Sequence, residues 1–228
     1  ITTSGGGSLT RTGAINAGSA NVVLNLAGGT SGTGLVLADR LTLQAVGGST
    51  LNTTVNSVIA NVTGLGNALA IFQTGKDLVV PAGNVLTNAG PLTLAADGTN
   101  NLTVLGTISA AGANVTLSAG GAVNASTGQI AADVLTVTAN SASTLTTAVN
   151  TLVANITGAG STLTVNEADA LTIGSGDVRT NNGQINITTS GGGSLTRTGA
   201  INAGSANVVL NLAGGTSGTG LVLADRLT

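Results

Sequence analysis

The most constraining feature of this sequence is an exact internal repeat. Residues 187–228 reproduce residues 1–42 letter for letter, so that Ile187 begins a second copy of the segment that begins at Ile1. A second, diverged repeat lies inside that period, because residues 143–158 match residues 49–64 at 10 of 16 positions, at an offset of 94. Nested periods of this kind are typical of repeat proteins, in which each unit packs only on its neighbours.

The repeats predict a single domain of stacked units. We interpret residues 1–228 as one continuous solenoid segment, with 1–186 as one full tandem repeat made of two halves of about 93 residues. Residues 187–228 are the start of the next repeat. Since a stacked unit needs neighbours on both sides, we expect a longer array, in which the sequence after Thr228 continues as it does after Thr42.

Short apolar runs that alternate with polar residues recur along the chain and predict β-strands. Three of them are Leu92-Thr93-Leu94, Val115-Thr116-Leu117 and Leu135-Thr136-Val137, which recur at a coil-like spacing. Gly, Asn and Asp between the runs favour turns, and the abundant Gly, Thr, Asn and Ser disfavour helices. We predict an all-β fold, a single right-handed parallel β-helix (β-solenoid) with about 20 residues per coil and roughly nine coils per repeat. An ordinary β-sandwich is the alternative, but it does not require the nested periods.

The composition agrees with stacked coils and excludes several function classes. Charged residues make up 6% of the chain, and Phe72 is its only aromatic residue. Few charges suit stacked coils, because like charges ~4.8 Å apart on adjacent coils would repel by about 0.9 kcal/mol even in water.

With no Cys and no His, the chain has no thiol chemistry, no zinc-finger ligands and no His-dependent nucleophile. Six Lys and Arg residues form no patch for nucleic acid. No apolar run reaches the ~18 residues of a membrane span, and no cofactor motif is present.

The acidic residues are the only candidates for a site, and we assign none of them a catalytic, cofactor-binding or metal-binding role. Glu167, Asp169 and Asp177 form only a faint calcium pattern that does not recur, so we interpret them as solvated turn residues. The remaining carboxylates are scattered near predicted turns, and we expect Asp39 to pair with the neighbouring Arg40 on the surface. These scattered carboxylates are Asp39 with its exact duplicate Asp225, and Asp77, Asp97 and Asp133.

Threonine rows suggest one further function, the binding of ice by a flat solenoid face. Leu135-Thr136-Val137-Thr138 contains a suitable Thr-x-Thr element. The element does not recur in every predicted coil, which argues against this function.

Two long stretches, residues 92–125 and 185–215, resemble the large repetitive exoproteins of the filamentous haemagglutinin type. They share the recurring pattern of an LTL-like strand, small residues, a Gly-Gly turn and Val or Ile. The resemblance implies a right-handed parallel β-helix, secretion by a two-partner or autotransporter route, and display as a long adhesive fibre. It implies no catalytic residue.

We therefore expect a structural stalk or fibre segment of a giant extracellular or bacterial cell-surface protein, and not an enzyme. Its partners would be neighbouring repeats stacked end to end, with lateral self-association into bundles and an adhesive target that the sequence does not name. One alternative is a short subunit that polymerises head to tail. The other is a β-helix module that binds or cleaves polysaccharide.

Overall fold

The computed structural model describes all residues 1–228 and contains β-strands but no helix. Its 23 strands join in one sheet whose pairings are parallel. The strands are β1 Leu9–Thr10, β2 Ile15–Asn16, β3 Val22–Leu26, β4 Thr30–Ser31, β5 Leu35–Ala45, β6 Ser49–Val62, β7 Leu69–Gln73, β8 Leu78–Val80, β9 Asn84–Thr87, β10 Leu92–Ala96, β11 Leu102–Val104, β12 Thr107–Ala110, β13 Val115–Ala119, β14 Val123–Ala139, β15 Ser143–Ala159, β16 Leu163–Glu167, β17 Leu171–Asn181, β18 Ile185–Thr189, β19 Leu195–Arg197, β20 Ile201–Asn202, β21 Val208–Asn211, β22 Thr216–Gly218 and β23 Val222–Leu223.

The strands stack as the turns of a β-solenoid, which confirms the predicted fold class. Nine successive pairings lead from Leu9 to Arg197. One turn therefore takes about 21 residues on average, close to the coil length expected from the sequence and near the short end of known repeat units. Individual turns depart from this average. The turn from Leu135 to its partner Leu152 is short, whereas the turn from Ala60 to its partner Val85 is long. The extra residues of the long turns form loops at the corners.

Two broad faces, A and B, run along the stack. On each face, outward residues that pair from one turn to the next form a column. Face A carries the column Thr50, Ala70, Thr93, Thr116, Thr136 and Val153. Face B carries the column Ser57, Val79, Thr103, Asn124, Thr144, Thr164, Asn186 and Val209. The long strands β6, β14 and β15 pass a corner and belong to both faces.

Between the faces lies a single apolar core, because alternate strand residues point inward. In β10 the pattern is Leu92 buried, Thr93 partly exposed and Leu94 buried, and 50 buried apolar residues form one cluster. The strand Leu, Val and Ile residues thus face mainly inward. Phe72, the one aromatic residue, points out from face A and is 40% exposed.

The two halves of the repeat lie half a turn apart around the solenoid axis. Four pairings lead from Ser49 on face A to Leu135, also on face A. The counterpart of Ser49 in the second half is Ser143, which follows Leu135 by half a turn and lies on face B, where β15 stacks on the start of β14. Hence β6 runs from face A to face B, whereas its counterpart β15 runs from face B to face A. Equivalent residues of the two halves therefore occupy opposite faces.

Glycines allow the corner loops of adjacent turns to approach closely. A Cβ on Gly90 would clash with the backbone carbonyl of Asn67 in the preceding turn, and a Cβ on Gly183 would clash with that of Ser161. Gly90 and Gly183 are equivalent in the two halves, so both halves use the same close approach.

Candidate functional site

Five aspartates at the corners bond to a neighbouring turn. Asp39 accepts a hydrogen bond from the Asn56 amide at 2.7 Å, and Asp133 accepts the equivalent bond from Asn150 at 2.9 Å. The other corner carboxylates accept backbone N–H groups across turns: Asp77 from Asn101, Asp97 from Gly75 and Asp177 from Ala200. These bonds tie corner loops together, which is a structural role.

The predicted pairing of Asp39 with Arg40 is wrong. Asp39 turns to Asn56, and the Arg40 guanidinium donates to the Ser57 hydroxyl at 3.4 Å. Both residues are exposed where β5 passes a corner, and each side chain bonds to the next turn of the stack.

Glu167 is not the solvated turn residue that we expected from the sequence, because it ends β16 inside the solenoid and is 2% exposed. Its carboxylate accepts the backbone N–H of Val149 at 3.2 Å and that of Ala168 at 2.9 Å. Burial raises the pKa of this carboxyl; the hydrogen bonds from Thr147, Val149 and Ala168 oppose the rise, and the charge of Asp169 adds to it. Asp169 itself is exposed.

The equivalent position in the first half explains how Glu167 fits. There Gln73 is 1% exposed. Its side-chain amide both accepts from and donates to the backbone of Val55, as a neighbouring strand would. Its carbonyl oxygen accepts from the Thr53 hydroxyl at 2.7 Å and from Val55 N–H at 3.2 Å. Its NH₂ group donates to the Val55 carbonyl at 2.6 Å. A carboxylate in this place keeps the acceptor bonds but lacks the donor.

Arg11 is the second buried ionisable residue, and it connects three turns. Its guanidinium donates to the Thr30 hydroxyl at 3.2 Å, to the Gly34 carbonyl in the same turn as Thr30, and to the Thr50 carbonyl at 2.7 Å one turn further. Desolvation by burial lowers the pKa of Arg11. The arginine replaces an apolar core residue at this corner and satisfies carbonyl groups that the corner loops leave free.

The identical residue of the second copy, Arg197, has fewer partners. It donates to the Gly220 carbonyl at 2.7 Å, the bond equivalent to that of Arg11 with Gly34. Its buried Nε has no hydrogen-bond partner. Arg11 thus has two further bonds, from its Nε to the Thr30 hydroxyl and from its Nη2 to the Thr50 carbonyl in the turn 49–62 that packs on it.

Two shallow grooves indent the surface, and neither gathers catalytic side chains. The larger has a volume of about 340 Å³ and lies where Thr2, Asn25, Gln44 and Thr63 line successive turns. The smaller, of about 250 Å³, adjoins Glu167 and is otherwise lined mainly by hydroxyl and amide side chains. No group of three or more acidic side chains is placed to hold a metal ion. No helix has the length and apolar character needed to cross a membrane.

The threonine rows lie on the two faces. On face A, Thr93, Thr116 and Thr136 stack in one column, while Ala95, Ser118 and Thr138 form the column beside it. Thr-x-Thr therefore occurs in one of these three turns. The faces are columns of mixed small polar and apolar residues.

Comparison with protein-family models, curated proteins and solved structures finds no match for this chain. The β-solenoid fold itself agrees with the architecture implied by the haemagglutinin-type resemblance.

Proposed function

We propose that this chain is a structural segment of a long, stiff β-solenoid fibre of the extracellular, haemagglutinin-like type. The supporting observation is the unbroken parallel pairing of turn on turn from Leu9 to Leu223. Such a stack has one direction of growth, and each full repeat adds about nine turns, or roughly 43 Å at ~4.8 Å per turn. The fibre holds an adhesive tip away from the cell or links neighbouring cells.

The mechanical role follows from how each turn is held. Adjacent turns share strand ladders on both faces and a continuous apolar core, so bending the rod strains hydrogen bonds and packing together. Corner bonds such as Asn150 to Asp133 add a further connection between turns. A rod with these properties transmits force along its axis and gains length in proportion to repeat number.

The proposal is tested by the length of chains that carry one, two and three full repeats. Electron microscopy should show rods of constant width that lengthen by about 43 Å per added repeat. Compact particles whose width grows with repeat number would contradict a rod. Immunogold labelling of the source cells with antibody to the repeat should mark surface fibres, and exclusively internal label would contradict the extracellular location.

A second candidate is a short subunit that stacks head to tail. Within the chain, each turn buries apolar residues of the turn before it, as the turn 49–62 buries Leu41. Turns of separate chains could pack on one another in the same way. The mass of the native polypeptide under denaturing conditions separates the candidates, because a mass of many repeats would favour one covalent array and a mass close to that of a single repeat would favour stacked subunits.

A further inference from the structure

Faces A and B carry little charge over many turns, which is unusual for a solvated surface. Arg40 pairs with Ser57 at one end of the face B column, and Arg179 lies two turns beyond Thr138 on face A. The face A column is uncharged from Thr50 to Val153, and the face B column is uncharged from Ser57 to Val209. Solvent-exposed surfaces usually carry charged residues at a quarter or more of their positions. The exposed carboxylates of Asp39, Asp77 and Asp97 lie at the corners, where they bond to neighbouring turns.

The half-turn relation between the repeat halves places equivalent residues on both faces. Thr50 on face A is equivalent to Thr144 on face B, and Ala70 is equivalent to Thr164. The rod therefore has the symmetry of an approximate two-fold screw, in which a rotation by half a turn and a shift of about 4.5 turns, or ~22 Å, exchange the faces. Any surface that face A offers to a partner recurs on face B.

From these two observations we propose that both faces are lateral docking surfaces for further copies of this chain, and that rods assemble side by side into open sheets. This inference rests on the proposed rod. Rods with one docking face could form only pairs. Rods with two equivalent faces on opposite sides always leave one face at each edge of the assembly free to bind a further rod.

The available area is sufficient for specific docking. One repeat presents a face about 43 Å tall and about 17 Å wide, given the strand length of five residues. Two such faces in contact bury on the order of 1,400 Å² in total, which is the size of a standard protein–protein interface. The interface is depleted of charge, as the buried centres of interfaces are. In an array the area grows with every added repeat.

The test replaces two outward threonines by lysine on each face. T50K with T116K charges face A, and T144K with T164K charges face B. T99K with A111K adds the same charge at exposed corner positions and serves as the control. Rod width is measured by electron microscopy and particle mass by sedimentation velocity, over a range of protein concentrations.

We expect the unaltered chain and the corner control to form sheets several rods wide as concentration rises, with little change between low and high salt. Each single-face variant should stop at pairs of rods, and the variant with both faces charged should remain single. The inference is overturned if the unaltered chain stays single, or if either single-face variant still forms wide sheets. In both cases rod-shaped particles would leave the proposed function intact, whereas compact particles would contradict it. Circular dichroism verifies that each variant folds.

Discussion

Replacing Glu167 by Gln should stabilise the protein at neutral pH. The substitution copies into the second half the arrangement present at Gln73, whose NH₂ group donates to the Val55 carbonyl at 2.6 Å. An ionised Glu167 cannot make the corresponding bond to Val149. One recovered hydrogen bond contributes about 1 kcal/mol, and relief of the buried charge raises the expected gain to about 1–3 kcal/mol at pH 7.

The gain should depend on pH in a defined direction. Burial raises the pKa of Glu167 above its ordinary value of 4.5, so the folded state holds a proton that the unfolded state releases. The contribution of Glu167 to stability is therefore fully present below the ordinary pKa and is lost as pH rises through the folded-state pKa. At about pH 3.5 the carboxyl is protonated in both states and can donate a hydrogen bond as Gln does, so the E167Q variant should then match the unaltered protein.

Urea unfolding followed by far-ultraviolet circular dichroism, at several pH values between about 3.5 and 7.5, measures this difference. The reciprocal variant Q73E provides the control. It should lose stability at pH 7 and recover it at low pH, because it introduces the same buried carboxyl in the first half. Equal pH profiles for E167Q and the unaltered protein, or a less stable E167Q at pH 7, would refute the reasoning.

Three further predictions concern the corners. R11L should lower the free energy of unfolding by about 2–4 kcal/mol, because it leaves buried carbonyl groups without a donor. R197L should lower it less, since Arg197 makes fewer hydrogen bonds. Equal losses in urea unfolding would contradict the role of these bonds. G90A should lower the midpoint of thermal unfolding, since the added Cβ clashes with the backbone of the preceding turn. G215A is the control, because its Cβ has open space, and it should leave the midpoint nearly unchanged. Similar midpoints for the two variants would contradict the close approach at Gly90. Chelation of calcium should not change the melting curve, because the corner carboxylates bond to protein groups, and a drop in the midpoint with chelator would instead indicate a bound ion.

Much of the fold could be predicted because the sequence signals for a solenoid, alternating strands and glycine turns, extend over only a few residues. Leu92-Thr93-Leu94 alternates as a half-buried strand does, and Gly90 marks the turn before it. The same local pattern recurs at Val115 and Leu135, so the stacking of one strand on the next follows from the repeat. The surroundings of the candidate site residues were harder to predict from the sequence. A buried Glu167 and an exposed Asp169 look alike in a polar sequence, since only the position within a turn decides which one enters the core.

The sequence alone determined the strands, the turns and the tandem period, because alternation and glycine placement act over a few residues. Only the tertiary structure decided where those strands lie around the axis. Turns differ in length, as the pairs Leu135–Leu152 and Ala60–Val85 show, since corner loops absorb extra residues without disturbing the ladder. The length of a half-repeat therefore does not reveal its rotation. The lengths of the turns between Ser49 and Ser143 add up so that Ser143 lies half a turn from Ser49 around the axis. This rotation places equivalent residues of the two halves on opposite faces, and the position of Glu167 within its turn places its side chain inside the core.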